Sequence, residues 1–264
     1  MAVRRCSGYP ERETPLAAMK LLLLGTAGYH PSETRHTACL MLPEVGIVLD
    51  AGTGFFRVRD HLETETLDIL LTHAHLDHVA GLTFLLDTAW ERNLTRITVH
   101  GEAEKLAVVR EHLLHDLLFP APLNCEWRPL GEQPLLLGGF KVTHFPLAHP
   151  GGCVGYRLDG PGRSLAYVTD TTATVDARYI EAIRGVDLLI HECNFRDSEH
   201  EWAVKTGHSS TSLVAGVAAR AGAGRLVLIH LNPLNSAADP VDLAVARQIF
   251  ANTELGHDGM ELQL

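Results

Sequence analysis

Short apolar runs of strand length, each stopped by glycine, proline or a polar cluster, punctuate the chain from residue 21 to its end. Residues 21–24 are four leucines that stop at Gly25-Thr26-Ala27-Gly28, a strand running into a tight turn. Residues 38–42 and 46–49 form a predicted hairpin about Pro43-Glu44, closing on Asp50-Ala51-Gly52. A strand over 68–71 is followed by helical spacing over 82–90 and a short strand over 97–100. A helix is predicted over 102–118, ending before Pro120. Strands over 134–137 and 140–145, then a hairpin of 154–158 with 164–168, complete a β-rich first half. Thereafter strands (187–190, 226–229, 260–264) alternate with helices (177–183, 210–221, 241–250). That order predicts an α/β fold with helices outside the sheets, one domain over residues 19–264. Residues 1–18, with Arg4-Arg5, Pro10 and Pro15, read as a loosely held extension, and Met19 as an alternative start.

The strand over 68–71 runs directly into His73-Ala74-His75-Leu76-Asp77-His78. Alternate residues of an extended chain point the same way, so His73 and His75 can face one ion while Asp77 and His78 turn toward a second. Imidazole with carboxylate suits zinc, with manganese or iron as alternatives. The chain has sixteen histidines, but three with an aspartate inside six residues, straight after a buried strand, exceed chance clustering. Further candidates stand at strand ends: His149, Asp170, the pair His191-Glu192, and His230. Layered α/β folds gather functional loops at one sheet edge, where residues distant in sequence meet. A two-metal site takes about six or seven ligands with one bridging carboxylate, for which Asp170 is the obvious candidate. Two ions ~3.5–4 Å apart hold a water, lower its pKa toward ~7 and clamp both oxygens of an in-line displacement. Asp50 either caps its turn or supports a metal ligand from behind. His112 and His115, among leucines, read as core or surface histidines. His208, in Gly207-His208-Ser209-Ser210 before a helix start, is either an ordinary loop histidine or a general acid held protonated by Glu192.

Composition narrows the partners. Hydrophobic content of 46% and charged content of 20% describe a globular chain with a large core. The net charge of −10 is opposite to the footprint of a protein that grips a nucleic-acid backbone. It leaves room for a small phosphate substrate, because bound cations set the local potential. Cys6, Cys39, Cys125, Cys153 and Cys193 are odd in number and scattered, which points to a reducing, cytoplasmic compartment. The leucine run after Met19-Lys20 is too short for a signal peptide or a membrane span, so no membrane partner is expected.

His73-x-His75-x-Asp77-His78, followed in order by His149, Asp170 and His230, resembles the metallo-β-lactamase fold of metal-dependent hydrolases. Within it, the second half is similar to the ribonuclease Z-like branch. His191-Glu192-Cys193-Asn194-Phe195 matches its His-Glu-Ala-Thr-Phe, Gly207-His208-Ser209-Ser210 its Gly-His-Ser-Thr, and Leu228-Ile229-His230-Leu231-Asn232-Pro233 its Leu-Thr-His-Phe-Ser-Pro. The resemblance runs from Lys20 to Leu264 and implies a four-layer αβ/βα sandwich, two mixed sheets flanked by helices. It also implies His73, His75 and His149 on one zinc, Asp77, His78 and His230 on the other, and Asp170 between them. His208 is then the proton donor supported by Glu192, and Asp77 counts among the catalytic groups as well. The departures are specific. The ribonucleases carry a tRNA-gripping arm between the ligands matching His149 and Asp170, where this chain has only residues 150–169. The branch's Pro-x-Lys-x-Arg-Asn loop stands here as Pro31-Ser32-Glu33-Thr34-Arg35-His36, with glutamate for lysine. Armless relatives include phosphodiesterases of cyclic phosphates and cyclic nucleotides.

The expectation is therefore a dinuclear metal-dependent phosphodiesterase for a small cyclic phosphate, a nucleotide or a short single strand, working through a metal-bridging hydroxide. Three rivals stay open: a ribonuclease Z-type tRNA 3′-processing enzyme, a lactone or thioester hydrolase, and a non-catalytic metal-binding protein. Relatives of this branch are often dimers, so a homodimer is an open expectation.

Overall fold

The computed structural model describes residues 19–90 and 92–264, so the expected extension over 1–18 lies outside the described residues. The strands in chain order are β1 (Lys20–Gly25), β2 (Cys39–Leu42), β3 (Ile47–Leu49), β4 (Thr66–Leu70), β5 (Arg96–Gly101), β6 (Glu126–Pro129) and β7 (Leu135–Leu137). They continue with β8 (Phe140–Leu147), β9 (Cys153–Gly160), β10 (Arg163–Val168), β11 (Leu188–Glu192), β12 (Arg225–Ile229), β13 (Thr253–Leu255) and β14 (Met260–Gln263). The helices are α1 (Val58–His61), α2 (Leu76–Val79), α3 (Leu85–Trp90), α4 (Ala103–Val108), α5 (His200–Thr206), α6 (Thr211–Ala221) and α7 (Leu243–Ile249). One sheet has the order β14-β1-β2-β3-β4-β5-β6, the other β13-β12-β11-β10-β9-β8-β7.

The apolar runs explain the layering. Leu21 and Leu23 join the core between the sheets, while Leu22 and Leu24 face the outer layer with Phe55, Val58, Leu82 and Leu85. Four leucines in a row are thus buried on both sides of β1, as a covered sheet requires. Between the sheets, Leu40, Leu42, Leu49 and Leu70 meet Phe140, Val142, Tyr156, Tyr167, Ile190 and Ile229. Each such side chain contributes roughly 1.5–3 kcal/mol on leaving water. The far face of the second sheet packs on α6 and α7 through Val214, Val217, Ala218 and Ala246. Two mixed sheets flanked by helices result, as expected.

Strands β3 to β6 run parallel, as do β10 to β13. Their carboxyl ends open on the edge where the candidate residues meet. Two buried tyrosines tie the sheets together there: the Tyr156 hydroxyl donates to the Leu71 carbonyl at 2.6 Å, and that of Tyr167 to Asp50 Oδ2 at 2.8 Å.

Some expected elements are shorter. The helix over 102–118 ends as α4 and one wide π turn over Val109–Leu113, where the Leu114 N–H reaches back to Val109. Leu117 and Leu118 are exposed, so no layer covers the apolar spacing that suggested a longer helix. The helix over 177–183 is a single 3-10 turn, Arg178–Ile180. The spacing over 82–90 starts in a 3-10 turn, Ala80–Phe84, before α3. Among the described residues no helix is long and apolar enough to cross a membrane.

Candidate metal centre

Helix entry sets the geometry of the first four candidates. His75 is extended (φ −68°, ψ 147°) and α2 begins immediately after it. His73 and His75 therefore leave an extended segment, and Asp77 and His78 leave a helical turn. The two pairs are aimed at neighbouring points. His73, His75, His149 and Asp170 each offer one donor atom, all within 4.8 Å of one another, and so do Asp77, His78, Asp170 and His230. In the first group, His75 Nδ1 is 3.2 Å from His149 Nε2, and Asp170 Oδ2 is 3.5 Å from His73 Nε2 and 3.4 Å from His149 Nε2. In the second, Asp170 Oδ1 is 3.2 Å from His78 Nε2 and 3.1 Å from His230 Nε2. Asp77 Oδ2 lies 3.4 and 3.2 Å from the same two nitrogens. One carboxylate, Asp170, thus gives one oxygen to each group.

The residues fit divalent cations. Donors ~2.0–2.1 Å from a tetrahedral ion lie about 3.3 Å from one another, and the separations here are 3.1–3.5 Å. His73 Nε2 is buried without a hydrogen-bond partner, and buried polar atoms are rarely left so. Burial pushes the His73 pKa well below its ordinary value, favouring a neutral ring with a free lone pair. Burial alone would raise the Asp170 carboxyl, but the imidazoles of His230, His78 and His73 hold it well below the usual range, so it stays ionised.

Partners behind the rings fix which nitrogen faces inward. His78 Nδ1 donates to Asp50 Oδ2 at 2.8 Å, and the same carboxylate accepts the Thr72 N–H at 2.8 Å. Of its two readings, Asp50 therefore takes the one that supports a candidate ligand from behind. His149 Nδ1 donates to the Gly207 carbonyl at 2.9 Å. Gly207 ends α5 at φ +79°, and a Cβ there would lie 2.4 Å from Pro150 Cδ. The backbone can approach His149 only because it is glycine.

Glu192 is fully buried and accepts the N–H groups of Thr171 and Asn194, both at 3.1 Å. It also faces His208 Nδ1 at 3.2 Å. Burial pulls the His208 pKa down, but Glu192 outweighs it and carries the value up to about 9. The His208 ring lies 5.2 Å from that of His149 and 5.3 Å from that of His230, centroid to centroid.

Not every candidate converges. β11 runs through Glu192, two residues beyond the expected strand, so His191 and Glu192 point to opposite faces. His191 bonds Tyr179 at 2.9 Å and takes no part in the centre. His112 and His115 are exposed, as one of their two readings had it. Sequence reasoning missed the loop after β1. The Tyr29 N–H donates to Asp77 Oδ2 at 2.8 Å, and a Cβ on Gly28 would lie 2.4 Å from His230 Cε1. Gly25-Thr26-Ala27-Gly28 carried the signal for a turn but not for what the turn approaches.

Residues 46–231 match the beta-lactamase superfamily domain. Ribonuclease Z from Archaeoglobus fulgidus is 27% identical over 303 residues, covering 93% of this chain and 97% of that one. The metallo-beta-lactamase fold protein YhfI from Bacillus subtilis superposes with a TM-score of 0.75 at 21% identity, covering 94% of this chain and 100% of that one. A diphosphatase from the PhnP family does so with a TM-score of 0.72 at 20% identity, covering 93% and 98%. At those identities the two structures speak for the fold alone. The family match takes in both donor groups and most of both sheets. This chain accordingly belongs to the beta-lactamase superfamily, as a metal-dependent hydrolase of the metallo-β-lactamase fold.

Proposed function

We propose that the protein is a dinuclear phosphodiesterase acting on a small cyclic phosphate, a nucleotide or a short single strand. The observation that carries this is Asp170, whose two oxygens face two separate sets of donors. His73, His75 and His149 would hold one divalent ion and Asp77, His78 and His230 the other, zinc foremost, with manganese or iron as alternatives. When bound, such a pair supplies an activated water and neutralises charge gathering on the phosphoryl oxygens. Asp77 keeps the loop of Tyr29 against the centre while serving as a ligand. His208 donates through Nδ1 to Glu192, which leaves Nε2 for the leaving oxygen as a general acid. A small substrate is favoured because residues 150–169 form little more than the β9–β10 hairpin, paired through Gly160 and Arg163. The acidic net charge and Glu33 in the 31–36 loop work against a long polyanion. The four described cysteines are free, which suits a cytoplasmic protein.

Ribonuclease Z activity is the second reading. It is supported by the relative of that name, which aligns over nearly its whole length. That alignment runs over 303 positions against 264 residues here, so the relative carries segments this chain lacks. The zinc- or manganese-loaded protein is expected to hydrolyse bis(p-nitrophenyl) phosphate and nucleoside cyclic phosphates. Full metallation without turnover of any phosphodiester overturns the proposal. Faster cleavage of precursor tRNA, with steep salt dependence, transfers it to the second reading.

A further inference from the structure

Four non-glycine residues among those described have positive φ, and three belong to this centre: His230 (54°), Asp50 (59°) and Tyr29 (62°). The side chains of His230 and Asp50 are buried and engaged in the donor network. Tyr29 differs. Its N–H donates to Asp77, which a glycine would do without the strain that a bulky residue bears in this region. Tyr29 is 76% exposed, and its hydroxyl makes no hydrogen bond among the described residues. His30 makes an edge-to-face contact with the ring, centroids 5.1 Å apart, which steadies it while Tyr29 stays exposed. Leu76, the residue before Asp77, opens α2 and is 69% exposed. An exposed aromatic residue bonded to Asp77 through its backbone and an exposed aliphatic residue next to Asp77 in the chain therefore adjoin the centre. Gly28, closed down on His230, brings this loop to the reacting groups.

From this arrangement we infer that Tyr29 and Leu76 form an apolar lip that takes a planar aromatic group of the phosphorylated substrate, a nucleobase foremost. The inference rests on the phosphodiester reading of the same centre and names its substrate class. Tyrosine presents a rigid aromatic face with few rotatable bonds, and every base has a π-face to lay on it. The phosphate then lies toward Asp170 and His208 while the base stays at the lip. Selectivity would come from stacking and not from hydrogen-bond readout of the base.

The test is calorimetric binding of adenosine monophosphate and ribose 5-phosphate to the full-length, zinc-loaded protein. The wild type should bind the nucleotide about tenfold more tightly, the scale of one stacked base. Tyr29→Gly, which relieves the strain and should melt no lower than the wild type, should bring that ratio close to one. Tyr29→Phe should keep it, and Leu76→Ala should lower it in part. A wild-type ratio near one, or a ratio that survives both Tyr29→Gly and Leu76→Ala, overturns the lip. Base-dependent binding by a protein that turns over no phosphodiester supports the lip and overturns the phosphodiester reading, so the two failures are distinguishable.

Discussion

Two buried histidine–aspartate clusters stand beside each other in this molecule, and they have opposite characters. On β4 and β5, Asp68 accepts two bonds from Arg96, at 3.0 and 2.9 Å, and one from His100 Nε2 at 2.9 Å. Immediately beyond β4, the centre gathers Asp77 and Asp170 among five imidazoles, backed by Asp50 and Glu192. No lysine or arginine ion pair to those four carboxylates is found among the described residues. The first cluster carries its own cation in the Arg96 guanidinium. The second balances Glu192 with His208 and leaves the rest of its charge to be balanced from outside. Buried carboxylates need a partner charge, so what separates a structural cluster from a binding centre here is where that charge comes from.

The contrast can be broken by substitution, and Asp170→Ala should do so most severely. Both donor groups lose an oxygen, so metal content and phosphodiester turnover should fall together. The loss should exceed the ~10–100-fold typical of residues that merely support ligands, as read by elemental analysis and bis(p-nitrophenyl) phosphate kinetics. His208→Ala should cost on the order of 10²–10⁴-fold in kcat while metal content stays near the wild-type level. Because the working form is protonated, the wild type should lose kcat as pH rises through the His208 pKa, and the variant's profile should lack that alkaline limb. Asp50→Asn keeps the shape but removes charge behind His78, so metal affinity should weaken by roughly 10–100-fold in competition with a chelator.

Asp68→Asn should leave metal affinity and turnover within about twofold, since surface and structural changes away from a site seldom reach it. It should instead lower stability by about 1.5–3 kcal/mol in urea titrations, because half-exposed Arg96 and buried His100 lose charge-assisted bonds to Asp68. Burial raises the Asp68 pKa, but the bonds from His100 and Arg96 leave it net lowered. Its stabilisation is therefore present above the unfolded carboxylate value of ~3.9 and is lost as pH falls through the lower folded value. Acid unfolding of the variant should lack that component.

The sheets and most helices were legible because β1, β11 and β12 are buried on both faces and carry unbroken apolar runs. β6 and β13 were not, since Glu126-Trp127-Arg128-Pro129 and Thr253-Glu254-Leu255 are short and their residues largely exposed or half-buried. The His73–His78 cluster stood out by density alone. His149, Asp170 and His230 each follow a strand, and the structure brings them to the same edge. His191 follows the same rule and fails it, because one more residue of strand turns a side chain to the opposite face. Tyr29 could not be found from sequence, since a positive φ at tyrosine has no residue-type signature.

Each donor group draws on both sheets: His73, His75, Asp77 and His78 follow β4 of one, whereas His149, Asp170 and His230 follow β8, β10 and β12 of the other. Neither half can therefore capture an ion by itself with full denticity. On the proposed two-ion reading, a chain emerging from synthesis completes its chelate only once the C-terminal sheet has docked, so full loading would follow folding of both sheets.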